Sequence, residues 1–154
     1  MQMQRPHDPR SRPDVQPPQQ RMKILLVDDS EADVYLFQEA FRAVQSLHEL
    51  DIARDGEQAL QYLHAAAVNT ILPALVMLDL NLPKMDGFEI LRTIRADSKL
   101  RVIPVIVLSS SSEERQVRRA YELGANAYVV KPMNDFVDLV GDFERFWLRR
   151  AELP

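Results

Sequence analysis

Several features that would point to particular classes of protein are missing from this chain of 154 residues. It contains no cysteine, which excludes disulfide bonds, so the stability of the fold must come from packing. It has neither a signal peptide nor an apolar run long enough to cross a bilayer, which predicts a cytoplasmic protein without membrane association. The length fits a single domain with a core of ordinary size.

An excess of basic charge is also missing outside the first residues of the chain. Residues 1–21 carry four arginines and two aspartates, which give this segment a net charge of +2. Since the whole chain has a net charge of −4, residues 22–154 carry a net charge of −6. This balance argues against nucleic acid as a partner, because its recognition depends on a basic surface. Residues 1–21 are rich in proline and glutamine and have one aliphatic residue, Val15, which predicts a disordered tail. The folded domain is expected over residues 22–154.

Four short apolar runs each end at polar side chains. The runs and the side chains that follow them are KILLV before Asp28 and Asp29, ALVML before Asp79, PVIVL before Ser109, and AYVV before Lys131. Runs that are apolar on both faces and alternate with helical stretches predict a parallel sheet. Ligands bind such sheets beyond the carboxyl ends of the strands, so we expect the five side chains to meet at one edge.

The chemistry of these five side chains narrows the function. Three carboxylates held together repel one another, and one would take up a proton unless a cation lay between them. Mg²⁺ prefers oxygen ligands of this kind. A hydroxyl and an ammonium group add hydrogen-bond donors for the oxygens of a phosphoryl group. The pattern therefore predicts a carboxylate that becomes phosphorylated, not one that acts as a general base.

Apolar residues between the runs recur at helical spacing and predict five helices. Their starts are expected at Ser30, at Asp55 and Asp86 with the glycines that follow them, after the serine cluster 109–112, and at Asn134. Residues 50–53 supply the remaining strand. Strand and helix then alternate five times, and right-handed crossovers give an α/β flavodoxin-like, doubly wound three-layer sandwich with strand order 2-1-3-4-5.

These residues resemble the receiver domains of bacterial two-component response regulators. The matching segments are Asp28-Asp29, the run DLNLPKMDG from Asp79 to Gly87, Ser109-Ser110, and YVVKP from Tyr128 to Pro132. The resemblance extends from about residue 22 to the end of the chain. It implies that a sensor histidine kinase phosphorylates Asp79 in a Mg²⁺-dependent reaction. No output domain is expected after the last helix, so the signal would pass by protein contact and the chain would not be an enzyme.

The resemblance also implies roles for the neighbouring residues. Asp29 would bind Mg²⁺ directly, Asp28 would bind it largely through water, and the backbone carbonyl of Asn81 would be a further ligand. An alternative role for Asp28 or Asp29 is to cap the helix that begins after Ser30.

Three further residues take part in phosphoryl binding and switching in this family. Lys131 would pair with the phosphoryl oxygens, and the Lys-Pro peptide that follows is often cis. Ser109 would donate a hydrogen bond to the phosphoryl group, and Tyr128 would rotate inward when the serine moves. The alternative for Tyr128 is an ordinary half-buried tyrosine on a strand. His7, His48 and His64 are expected at the surface without a function.

Within the family the chain looks most like single-domain regulators that partner bacterial phytochromes. The features are the ending Phe146-Trp147-Leu148 followed by Leu153-Pro154, and the extended segment 63–73. A chemotaxis-type receiver is the main alternative.

A Mg²⁺-dependent aspartyl phosphatase, an alternative outside the family, would need a carboxylate where Asn81 stands. A flavodoxin-like cofactor binder would need a phosphate-binding loop where the chain has two acids.

The last helix suggests a homodimer. One arc of it is the predicted core face, made of Phe136, Leu139, Val140, Phe143, Phe146 and Trp147. Val137, Gly141 and Leu148 form a second, narrower stripe, and similar receivers commonly pair through the fourth helix, fifth strand and fifth helix. A self-complementary stripe suits a two-fold contact. The alternative is that these are scattered apolar residues at the surface, which are normal.

Overall fold

The computed structural model describes residues 21–154. The predicted disordered tail therefore lies outside the described residues, apart from Arg21. Within residues 21–154 no helix combines the length and the apolar character needed to traverse a bilayer.

Strands and helices alternate along the described chain. They are β1 (Lys23–Val27), α1 (Glu31–Ala43), β2 (Glu49–Ala53), α2 (Gly56–Val68), β3 (Leu75–Asp79), α3 (Gly87–Ala96), β4 (Val105–Ser109), α4 (Glu114–Glu122), β5 (Ala127–Val130) and α5 (Phe136–Arg145). A π-helical turn, Phe146–Arg150, continues α5.

The five strands form one parallel sheet in the order β2-β1-β3-β4-β5, which confirms the predicted α/β flavodoxin-like fold. Strands β3 and β4 each begin and end one residue later than predicted. Pro104 has no N–H group, and β4 begins after it. Asp79 and Ser109 are consequently the last residues of their strands.

Alternate residues of the central strands point to opposite faces of the sheet and enter two separate cores. One core joins Leu25, Val76 and Val107 to residues of α2, α3 and α4. The other joins Leu26 and Met77 to residues of α1 and α5. Burial on both faces explains why these strands are continuous apolar runs. The three layers leave the carboxyl edge of the sheet free to form a site.

Side-chain caps begin four of the five helices. Ser30, Asp55 and Asp86 accept hydrogen bonds from backbone N–H groups of the first turns of α1, α2 and α3, as expected. The last helix is capped by Asp135, one residue after the predicted Asn134. Helix α4 has no side-chain cap, and Ala120 is its one buried residue.

The predicted second stripe of α5 is wrong at Leu148, which is buried in the core. Phe146, which was expected in the core, is 56% exposed. The reason is the π-helical turn, in which the N–H of Ala151 bonds to the carbonyl of Phe146 five residues earlier. A wider turn changes the direction of every later side chain, so a constant 100° per residue fails beyond Arg145.

The expectation that His48 lies at the surface is also wrong. His48 is buried, and its Nδ1 accepts a hydrogen bond of 3.1 Å from the N–H of Met22. Its Nε2 lies 3.9 Å from the buried Glu144 carboxylate, which in turn accepts from the Ser46 hydroxyl. Burial lowers the pKa of His48, while Glu144 opposes that shift. His48 therefore helps to fix the start of β1.

Candidate functional site

Three aspartates converge where β1 and β3 end. One carboxylate oxygen from each of Asp28, Asp29 and Asp79 lies within 4.8 Å of the others. Asp28 is fully buried, Asp79 is 4% exposed, and Asp29 faces solvent. The neighbouring parallel strands β1 and β3 place their carboxyl ends side by side, and this register brings the carboxylates together.

Backbone N–H groups fix two of these carboxylates. Asp28 Oδ1 accepts a bond of 2.9 Å from the N–H of Ser30, and Asp79 Oδ1 accepts one of 3.0 Å from the N–H of Asn81. The cap of α1 itself is Ser30. Asp28 therefore supports the turn before the helix and still directs its second oxygen into the site.

Lys131 is the cation of the site in the described structure. Its Nζ lies 2.8 Å from Asp28 Oδ2, 2.8 Å from Asp33 Oδ2 and 3.0 Å from Asp79 Oδ2. An ammonium group has three donors, and each one meets a different carboxylate. Burial alone would lower the pKa of Lys131, but its hydrogen bonds to Asp28 and Asp33 outweigh burial and raise it.

Asp33 was not recognised from the sequence. Asp33 lies in the first turn of α1, where acidic residues are common for helix-dipole reasons, so nothing in its sequence context distinguished it. The side chain is 28% exposed and reaches Lys131 from α1.

The electrostatics of the three aspartates fit a divalent cation. Burial raises the pKa of Asp28 from 3.8 to about 6, and the charge of Asp79 adds to the rise, although Lys131 and the Ser30 N–H oppose it. A doubly charged cation would relieve this repulsion, and hard cations prefer such oxygen ligands. Asn81 is an exposed residue two positions after Asp79.

Ser109 is fully buried at the end of β4, beside the end of β3. Its Oγ accepts from the N–H of Ser111 at 3.1 Å and lies 3.4 Å from Oε1 of Gln116 on α4. The Tyr128 hydroxyl donates to the carbonyl of Ser111 at 2.7 Å and lies 3.0 Å from the same Gln116 oxygen. Ser109 and Tyr128 thus share two neighbours, the Ser111 backbone and Gln116.

Gln116 is a second residue that sequence reasoning missed, since a glutamine on a polar helix carries no distinctive chemical signal. Tyr128 is half-buried and packs against the core that joins the sheet to α2, α3 and α4. The Lys131-Pro132 peptide is trans, since residues 21–154 contain no cis peptide bond, whereas the family pattern suggested a cis bond.

The structure brings the predicted carboxylates, Ser109 and Lys131 to one edge of the sheet. The N–H of Lys131 donates to the carbonyl of Ser109 at 2.8 Å, which joins the ends of β4 and β5. The predicted dimer residues differ in exposure: Val137 is 46% exposed on α5, Gly141 is partly buried there, and Leu148 is in the core.

A doubly wound sheet with an acidic cluster, a buried serine and a lysine at its carboxyl edge defines a receiver-type phosphorylation domain. The family model for the response regulator receiver domain matches residues 24–141. The chain belongs to this family.

Individual relatives extend the comparison. Response regulator Rcp1 of Synechocystis is 44% identical over 135 residues, which cover 85% of this chain and 92% of Rcp1. The crystal structure of the Mn²⁺-bound form of Rcp1 matches with a TM-score of 0.78 and 43% identity, covering 86% of this chain and 99% of that one. The phosphorylated cyanobacterial phytochrome response regulator RcpA matches with a TM-score of 0.81 and 42% identity, covering 88% and 99%.

Proposed function

We propose that this receiver domain accepts a phosphoryl group from a sensor histidine kinase onto Asp79 and uses Mg²⁺ to do so. The observation that carries the proposal is the position of the Asp79 carboxylate. It lies within 4.8 Å of two further aspartates and 3.0 Å from the Lys131 ammonium, and it is nearly buried. A buried acid among like charges is unfavourable for stability, so its presence at a site edge indicates function.

In the proposed reaction an Asp79 oxygen attacks the phosphorus of a phosphohistidine on the kinase. The new O–P bond forms as the N–P bond breaks, and the histidine nitrogen keeps the electron pair and takes a proton from water. Lys131 and the Ser109 hydroxyl bind the oxygens of the transferred group. A Mg²⁺ ion held by Asp28, Asp29 and the Asn81 carbonyl supplies positive charge that offsets the charge of the phosphoryl oxygens.

We propose a phytochrome-like histidine kinase as the phosphodonor. Support comes from the two relatives above, one of which is a phytochrome response regulator, and from their near-complete coverage by this chain. The site would act in the cytoplasm, where histidine kinases are phosphorylated by ATP. An aspartyl phosphatase activity is not proposed, because Asn81 occupies the acid–base position and cannot ionise.

Replacing Asp79 with asparagine is expected to abolish phosphorylation while leaving the fold intact, because the side chains have the same shape. A small phosphodonor such as acetyl phosphate with Mg²⁺ should label the wild type, and hydroxylamine should release the label as it does from an acyl phosphate. The matched control is Asp86→Asn, which removes an exposed carboxylate from the same loop and keeps the cap of α3. Equal labelling of Asp79→Asn and the wild type would refute the assignment.

We also propose that the protein forms a homodimer through the face of α4, β5 and α5. Four apolar side chains of these elements and of the π-helical turn that continues α5 are about half exposed: Tyr121, Val130, Val137 and Phe146. A two-fold contact would bury each of these side chains in both copies of the chain, and this burial of apolar surface would favour pairing. Leu148 is buried in the core and cannot contribute to this contact, and Gly141 lies beside the Arg145 side chain.

Sedimentation of Val137→Glu tests the dimer. A charge at the centre of the contact should shift the protein to monomer at concentrations where the wild type is dimeric. Val68→Glu is the control, because Val68 is even more exposed but lies on α2, away from this face. If Val137→Glu and the wild type sediment alike, the contact does not involve this face.

A further inference from the structure

The Lys131 ammonium contacts three carboxylates. Of these, Asp33 alone does not belong to the acidic triad of Asp28, Asp29 and Asp79. Its Oδ2 and that of Asp28 are both 2.8 Å from Lys131 Nζ. Since Nζ is 3.0 Å from Asp79 Oδ2, the Asp33 and Asp79 oxygens are separated by no more than about 5.8 Å, the sum of the two contacts. Asp33 therefore contacts the lysine and lies at short range from the phosphoacceptor.

The three donors of Lys131 are all occupied by carboxylates. A phosphoryl oxygen that bonds to Lys131 must take a donor from one of the carboxylates. In the proposed function Asp28 would bind the metal and Asp79 would carry the phosphoryl group. Asp33 lies outside the triad, on α1, and its interaction in the site is with Lys131 alone.

We propose that Asp33 is a positioning residue that holds the Lys131 ammonium and competes with the phosphoryl group for it, and so sets the stability of the phosphorylated state. The inference rests on the proposed role of Asp79. Asp33 adds one negative charge to the site, which favours the metal cation and opposes the anionic phosphoryl group. Removing this charge should weaken the binding of Mg²⁺ and strengthen the binding of the phosphoryl group.

Asp33→Asn tests this proposal because it removes the charge and keeps the shape. The backbone N–H of residue 33, which donates to the Ser30 cap, is unchanged. Beryllofluoride serves as a non-covalent phosphoryl mimic, and its equilibrium affinity is measured in saturating Mg²⁺. We expect the variant to bind beryllofluoride about threefold to tenfold more tightly and Mg²⁺ more weakly, the size expected of a partly buried ion pair.

Glu31→Gln is the matched control, since Glu31 is an exposed acid in the same turn of α1. It should leave both affinities close to those of the wild type, because solvent screens an exposed charge. Asp33→Glu should return both affinities toward the wild-type values by restoring a carboxylate. A purely structural role for Asp33 would weaken both ligands together, and that result would overturn the proposal.

A double-mutant cycle with Lys131→Met separates an effect through the lysine from direct repulsion. The effect of Asp33→Asn on beryllofluoride affinity should shrink when Lys131 is absent. An effect of the same size in both backgrounds would show that Asp33 does not act through Lys131. Failure of the wild type to bind beryllofluoride at all would instead refute the role of Asp79, so the two proposals fail in distinguishable ways.

Discussion

Replacing Asp28 and Asp29 together with asparagine is expected to abolish Mg²⁺ binding and to raise the melting temperature of the metal-free protein. Two of the three carboxylates of the cluster lose their charge, and neutral amides are weak ligands for a hard cation. An asparagine at position 28 still accepts the hydrogen bond from the Ser30 N–H through Oδ1. The turn before α1 should therefore survive the change.

The gain in metal-free stability follows from the buried charge of Asp28. Burial raises the pKa of Asp28 to about 6 in the folded state, against 3.8 when unfolded. Between these values the folded state binds more protons, so the free energy of unfolding of the wild type falls as pH rises from about 4 to 6. At pH 7 the cost is about 1–3 kcal/mol, and the variant should lack both the cost and this pH dependence.

Thermal unfolding with and without Mg²⁺ measures both effects. At about 100 times its dissociation constant, Mg²⁺ should stabilise the wild type by about 2.7 kcal/mol, which corresponds to roughly 10 °C. The double variant should show no shift. Glu57→Gln, an exposed acid in the first turn of α2, should respond to Mg²⁺ as the wild type does. An undiminished Mg²⁺ shift in the double variant would place the metal elsewhere.

The acidic edge was predictable because its residues follow directly from strand ends. Asp79, Ser109 and Lys131 each stand at the end of an apolar run, and a parallel sheet must bring such ends together. The fold was predictable for the same reason, since runs buried on both faces leave few alternatives to a parallel sheet with helices on both sides. At this edge the polar residues at the strand ends and the topology of the parallel sheet indicate the same site.

Contacts that depend on the exact packing of distant elements were not predictable. His48 looks like a surface residue until β1 and α5 place Met22 and Glu144 against it. Leu148 turned inward because a π-helical turn changed the phase of the helix, and no residue type marks such a turn. Asp33 became a partner of Lys131 only through a contact that spans 98 positions of the chain.

Gly87→Ala is expected to destabilise the fold by about 3 kcal/mol and to slow phosphorylation of Asp79. Gly87 is the first residue of α3, and a Cβ there would lie 2.6 Å from the carbonyl oxygen of Asp79 and 2.7 Å from Cα of Leu80. Both atoms belong to the backbone at the end of β3. The N–H of Gly87 also bonds to the carbonyl of Leu80 at 3.2 Å, which holds the helix start against the strand.

The backbone at Asp79 cannot move away from the new methyl group without moving the phosphoacceptor itself. The stability loss and the loss of phosphorylation rate should therefore appear together in urea unfolding and in labelling by acetyl phosphate.

Gly141→Ala is the matched control, because a Cβ there has no neighbour closer than 3.6 Å, an atom of the Arg145 side chain. Alanine in the middle of a helix should stabilise by about 0.5–1 kcal/mol at that position and leave labelling unchanged. If Gly87→Ala is as stable as Gly141→Ala, the close contact between α3 and the end of β3 does not constrain residue 87, and the helix start does not position Asp79.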